Sequence, residues 1–198
     1  GCPPPAGGSG NGCRGEDWGW FDVSGVRFIS IPEPWPGALA DWQTKANTIM
    51  SAAQNDPAID FIVSYGHRPA YSSQITNAAW PETKAAIDAL GDLYSPAARA
   101  DGKYILNVGH HVHGLEQFSP QHGVVHVGNG GGGQGLTTFE NNTAPGSLWK
   151  LRHMGLVRGS YDAVESRLTV QIICGPEFPN PRDACTQGTV LRTMVFDA

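Results

Sequence analysis

Between residues 26 and 108, short apolar segments alternate with longer amphipathic ones, and that alternation restricts the chain to a layered α/β arrangement. Val26–Ile31 (VRFISI) reads as a strand. Residues 41–53 place Trp42, Ala46, Ile49, Met50 and Ala53 at helical spacing, which predicts an amphipathic helix. Ile59–Tyr65 (IDFIVSY) predicts a second strand. Pro81 suits the first turn of a second helix, with Gly91 marking its end. Tyr104–Val108 (YILNV) predicts a third strand. In such layers ligands gather at the C-terminal ends of strands. Two of those ends carry histidines: Gly66-His67-Arg68-Pro69 after the second strand, and Gly109-His110-His111-Val112-His113-Gly114 after the third.

The rest of the chain changes character. Residues 123–127, 148–152, 155–161, 167–174 and 190–197 read as strands, joined by turns and by the run GNGGGGQG at 128–135. This predicts an antiparallel meander or one edge of a larger sheet. A length of 198 residues suits one domain with a sizeable core, and 40% hydrophobic against 16% charged residues reads as globular. No apolar run approaches the roughly 20 residues of a membrane span. The net charge of −5 supplies no general basic field for nucleic acid. A phosphate substrate would need a bound cation to invert that field locally.

The four cysteines fall in two close pairs. Cys2 and Cys13 flank PPPAGGSGNG, and Cys174 and Cys185 flank GPEFPNPRDA. Such loops order themselves poorly, so two short-range disulfides are expected, and with them an oxidising, extracellular setting. The absence of a C-x-x-C spacing argues against a cysteine zinc site. An Asn-x-Thr sequon at Asn141 fits a secreted chain. Residues 1–17 read as a disulfide-stapled loop internal to something longer, and residues 18–198 as the domain proper.

Four of the seven histidines lie at 67, 110, 111 and 113. Neutral imidazole is the commonest metal-binding side chain, with nitrogen–metal distances near ~2.0–2.1 Å. Residues i and i+2 share a direction in extended backbone and can straddle an ion in a tight loop. Gly109 and Gly114 allow the bend, and Pro69 stiffens the chain after His67. A single strand-end histidine is ordinarily a surface group, and an H-x-H pair alone is weak. Two Gly-His clusters at successive strand ends favour a metal site.

GHRPAYSS at 66–73 resembles the G-H-x-P region of calcineurin-like metallophosphoesterases, in its purple-acid-phosphatase-like flavour, and HVHGLEQFSP at 111–120 is similar to the G-H-x-H block of that family. The order of the two blocks, the strand before each, GVVHVGNGGGG downstream and WFDVSGVRFISI at 20–31 agree with it. The resemblance covers roughly residues 18–198. It implies half of a four-layer α/β/β/α sandwich of mixed sheets with flanking helices. It also implies that His67 and His111 bind one metal and His113 its neighbour. The two ions, of zinc, iron or manganese, would lie ~3.5–4 Å apart, clamp a phosphoryl oxygen and activate water.

The chain departs from that pattern in two ways. His110 stands where the family has glycine, either as a displaced surface residue or as a proton donor beside the metals. The family's N-terminal motifs (D-x-H, G-D and G-N-H-[ED]) are missing; Gly91-Asp92-Leu93-Tyr94 has similar letters in the wrong order and reads as a helix end. Three imidazoles without a bridging carboxylate imply that the N-terminal half of the same precursor completes the site, or that the chain self-associates over an exposed apolar face.

Arg68 is a candidate phosphate donor or an exposed loop arginine. Tyr71, Ser72 and Ser73 line a cleft or make turn bonds. The glycine run lacks the G-K-[ST] ending of a phosphate loop. His126 is expected in the core, His122 and His153 on the surface, and Trp18, Trp20, Trp35 and Trp42 as anchors. Three functions compete: metal-dependent hydrolysis of a phosphate ester, a non-catalytic metal-binding or interaction domain, and a secreted disulfide-stabilised binding module.

Overall fold

Alternation and helical spacing translate into twelve elements in the computed structural model, which describes residues 18–34, 39–74, 81–132, 135–139, 143–177 and 182–198. The first half runs β1 (Gly19–Val23), β2 (Val26–Ser30), α1 (Leu39–Gln54), β3 (Phe61–Gly66), α2 (Pro81–Tyr94) and β4 (Tyr104–Gly109). The second runs β5 (Leu115–Phe118), β6 (Val125–Asn129), β7 (Ser147–Leu151), β8 (Gly155–Asp162), β9 (Arg167–Cys174) and β10 (Val190–Asp197). The stapled loop at 1–17 with Cys2 and Cys13, the sequon at Asn141, and Trp35 lie outside the described residues.

A seven-stranded sheet has the order β1-β2-β3-β4-β6-β5-β7, and a three-stranded antiparallel sheet the order β10-β9-β8. β2, β3, β4 and β6 are mutually parallel. Residues alternate between the two faces of the large sheet. Ile29, Ile62 and Tyr104 pack with Trp42, Ala46 and Met50 of α1 and Ile87 and Leu90 of α2. Val26, Phe61, Val63 and Leu106 pack with Leu168, Val170 and Ile172 of the small sheet. The result is a mixed α/β sandwich of helices, large sheet and small sheet, in keeping with the expected part of a four-layer one; among the described residues no helix covers the outer face of the small sheet.

One expectation divides and two change. The strands at 123–127 and 148–152 join the larger sheet, where β6 lies parallel to β4 and antiparallel to β5, while those at 155–161, 167–174 and 190–197 form the antiparallel meander. β5 escaped notice because two of its four residues are polar, yet all four are buried. α2 passes through Gly91 to Tyr94. A β-carbon on Gly91 would lie 2.6 Å from the His122 carbonyl oxygen, so this glycine permits close packing and ends nothing.

The sandwich opens on a mostly apolar cavity of about 420 Å³ between the sheets, lined by Phe21, Phe28, Val63, Tyr65, Val157 and Val170 among others. Tyr161 of β8 bridges the layers by donating to the Asp60 carboxylate beside β3. At the far end of β9, Cys174 and Cys185 form the expected disulfide. Trp18 and Trp42 pack in the core with their rings tilted by 56° and centroids 4.9 Å apart.

Candidate metal centre

Because β2, β3, β4 and β6 run the same way, their C-terminal ends share one edge of the sheet. Glu33 follows β2, His67 and Arg68 follow β3, His110, His111 and His113 follow β4, and Asn129 closes β6. The two histidine loops lie directly against each other. The amide of His110 donates to the carbonyls of Gly66 at 3.2 Å and His67 at 3.1 Å.

His67 and His111 are brought together: His67 Nε2 and His111 Nδ1 lie 2.9 Å apart. Two nitrogens bound to one ion at ~2.0–2.1 Å, at 90–109°, would sit about 2.8–3.4 Å apart, so the pair is at ligand spacing. His111 holds this position with φ at +59°, a left-handed conformation that costs a side-chain-bearing residue roughly 1–2 kcal/mol. Non-glycine strain of this kind concentrates at functional sites.

Hydrogen-bond partners fix the ring protons. Arg68 Nη1 lies 3.1 Å from His111 Nε2; a guanidinium only donates, so Nε2 accepts. His111 Nδ1 therefore carries the hydrogen and donates to His67 Nε2. His113 Nδ1 lies 2.7 Å from the Gly135 carbonyl oxygen and must donate to it, which leaves Nε2 with a lone pair. A histidine that spends one N–H on a carbonyl and presents the other nitrogen has the form of a metal ligand. His110 Nδ1 donates likewise to Asn129 O at 2.9 Å, and its ring lines the inter-sheet cavity. Burial, with the Arg68 charge next, pushes the His111 pKa below the usual imidazole value, partly offset by Glu33. That keeps the ring neutral, the state in which it can bind a cation.

The other candidates are committed to protein partners. Arg68 Nε donates to Glu33 Oε2 at 3.2 Å. Tyr71 donates to Asp88 Oδ1 of α2 at 2.6 Å, and burial pushes its hydroxyl up to about 12. Ser72 Oγ accepts from the Gln74 amide, a local turn bond. Ser73 donates to Glu116. His126 is buried as expected, and His122 is exposed, bonded to Asp92 at 2.7 Å.

His153 corrects the expectation of a surface residue: it is 1% exposed, packed beside the disulfide with Nδ1 3.8 Å from Cys174 Sγ. Its ligand atoms lie within 4.8 Å of those of Cys174 and Cys185, but those sulfurs are bonded to each other and offer no thiolate.

Three residues of this edge were missed in the sequence. Glu33 sits in a proline-rich loop, where only its place after a parallel strand could have marked it. Glu116 is fully buried, and its polar character hid the strand it belongs to. Asn129 has a buried Oδ1 with no partner among the described residues, and nothing but its strand-end position signals it.

No family model matches the sequence, and no curated protein does. Solved structures match in fold. A purple acid phosphatase, PPD1, from yellow lupin (Lupinus luteus) seeds aligns over 92% of this chain with a TM-score of 0.69 and 18% identity. GAP50, described as the anchor in the inner membrane complex of Plasmodium, aligns over 91% with a TM-score of 0.59 and 16% identity. The chain spans 33% of the lupin protein and 53% of the Plasmodium protein. The architecture thus matches, in fold, part of these two proteins.

Proposed function

We propose that this chain is the histidine-bearing part of a metal-dependent phosphoric ester hydrolase. The observation that carries the reading is the meeting of His67 and His111 at ligand spacing, at an edge built from four parallel strand ends. His67 and His111 hold one ion and His113 Nε2 a second. Zinc, iron or manganese fits such donors. Bound there, the ions would polarise the phosphoryl group and activate water. Arg68 borders the same edge as an anion-binding donor, and His110, whose Nδ1–H is held by Asn129, would donate a proton only from a protonated Nε2.

The remaining ligands come from outside these 198 residues, from the N-terminal half of the same precursor or a second copy. The cavity between the sheets and the exposed apolar side chains Phe21 (49%), Val23 (53%) and Leu156 (49%) support a covering partner. The Cys174–Cys185 disulfide supports an oxidising, extracellular setting, and no helix among the described residues is long and apolar enough to cross a membrane.

The test is hydrolysis of p-nitrophenyl phosphate and bis(p-nitrophenyl) phosphate by the full-length protein with added metal. Activity that disappears in both His67→Ala and His113→Ala is expected; unchanged activity in these variants overturns the assignment. A second reading is a metal-binding or interaction domain without chemistry. It is favoured by Glu33, whose carboxylate is already paired with Arg68, and by a structural neighbour named for anchoring. Two ions per molecule support the enzyme; one or none supports the second reading.

A further inference from the structure

We infer that Glu116 is a positioning residue that holds the two histidine loops at metal-binding distance. The inference rests on the metal-centre reading above and concerns a residue that would touch neither metal nor substrate.

Glu116 is 0% exposed, and among the described residues its carboxylate forms no ion pair. From the described residues it accepts three hydrogen bonds. Oε2 takes the Ser73 amide at 2.9 Å. Oε1 takes the Ser73 hydroxyl at 2.5 Å and the Ser147 hydroxyl at 2.7 Å. Ser73 Oγ in turn accepts the Ala144 amide at 2.8 Å. Ser73 closes the loop that begins at His67, and Glu116 lies on the strand that follows His113. One side chain thus joins the segments carrying both halves of the site, and ties them to the start of β7.

A buried carboxylate is expensive unless it is hydrogen-bonded, and removing this one would leave the Ser73 and Ser147 donors without their acceptor. What the carboxylate provides, and an apolar group does not, is convergent acceptors for three donors in fixed directions. Functional groups held by locked neighbours keep their geometry to within about 0.5 Å. Losing such an orienting partner typically weakens metal binding by roughly 10–100-fold.

The test uses the full-length protein, with whatever segment completes the site present, titrated with cobalt(II) alone and read by visible absorption, with amide hydrogen exchange on the metal-free protein. Glu116→Ala is expected to weaken cobalt binding at least fivefold and to speed exchange at 66–74 and 109–114, while β9 stays protected. Glu116→Gln, which keeps the shape and one acceptor, is expected to restore most of the affinity. Should Glu116→Ala fail to fold, the double variant Ser73→Ala/Ser147→Ala decides by the same fivefold criterion. A folded variant that binds cobalt within fivefold of wild type overturns the role while the metal centre stands. A wild-type chain with no cobalt band, or one whose band survives His67→Ala, removes the metal-centre reading and this role with it.

Discussion

A β-carbon placed on Gly109 would lie 2.4 Å from Cα of Pro69, so the two histidine loops meet backbone on backbone. No side-chain rotation relieves that contact. Gly109→Ala therefore has to push the loops apart, at a cost of about 1–3 kcal/mol. The urea midpoint should fall accordingly, and cobalt affinity should fall with it, because His67 and His111 sit on opposite sides of the contact. An unchanged midpoint would show that the loops have slack.

Arg68 works against metal uptake in the arrangement seen here. By donating to His111 Nε2 it forces the ring hydrogen onto Nδ1, the nitrogen that faces His67. A cation entering between the two rings must displace that hydrogen and approach a guanidinium. Arg68→Gln should therefore tighten cobalt binding several-fold, measured at pH 7 and low salt, where screening is weak. If the variant instead leaves metal affinity alone and only raises KM for a phosphate ester, Arg68 serves the substrate and not the tautomer.

His111→Asn is the clean probe of that ligand. Asparagine tolerates the left-handed backbone at this position better than other residues of its size. Its stability should fall by no more than about 1 kcal/mol, the scale of the hydrogen bonds given up to Arg68 and His67, while cobalt binding falls by at least tenfold. Equal loss of fold and of binding would mean that the ring is structural.

Spacing in the sequence located the helices and most strands, because Trp42, Ala46 and Met50 recur on one face and Ile62 alternates with Phe61 and Val63. The strand-end histidines were legible for the same reason: apolar runs stop where glycine and histidine begin. What stayed hidden depends on contacts between distant segments. Glu116 reads as a surface acid until Ser73 and Ser147 are brought to it. Glu33 reads as part of a proline-rich loop until Arg68 meets it. His153 reads as exposed until the disulfide and Met154 close around it.

His126 should make the fold sensitive to acid. Burial pushes its pKa down to about 4, with Asp88 pulling weakly the other way, against about 6.5 in an unfolded chain. Between those values the unfolded state binds the proton and the folded state does not. The stability that the neutral ring preserves is fully present above pH 6.5 and is lost as pH falls toward 4, by on the order of 3 kcal/mol. Denaturation midpoints between pH 7 and 4 should show this slope, and His126→Gln should flatten it. A slope that survives the substitution belongs to other groups.

The disulfide is expected to stabilise the β9–β10 connection without governing the metal centre. Cys174 is 2% exposed at the end of β9, its amide and carbonyl already bonded to Thr189 and Gly188. Those bonds, and the pairing of β9 with β10, hold the strand ends together when the sulfurs part. What is lost is the constraint on the unfolded chain across a separation of 11 residues, worth about 2–3 kcal/mol. Cys174→Ser/Cys185→Ser should lower the urea midpoint by that amount and leave cobalt affinity within about twofold, since His67 and His111 are set by the ends of β3 and β4. A large loss of metal binding in a folded double variant would instead mean that the small sheet transmits strain to the histidine loops.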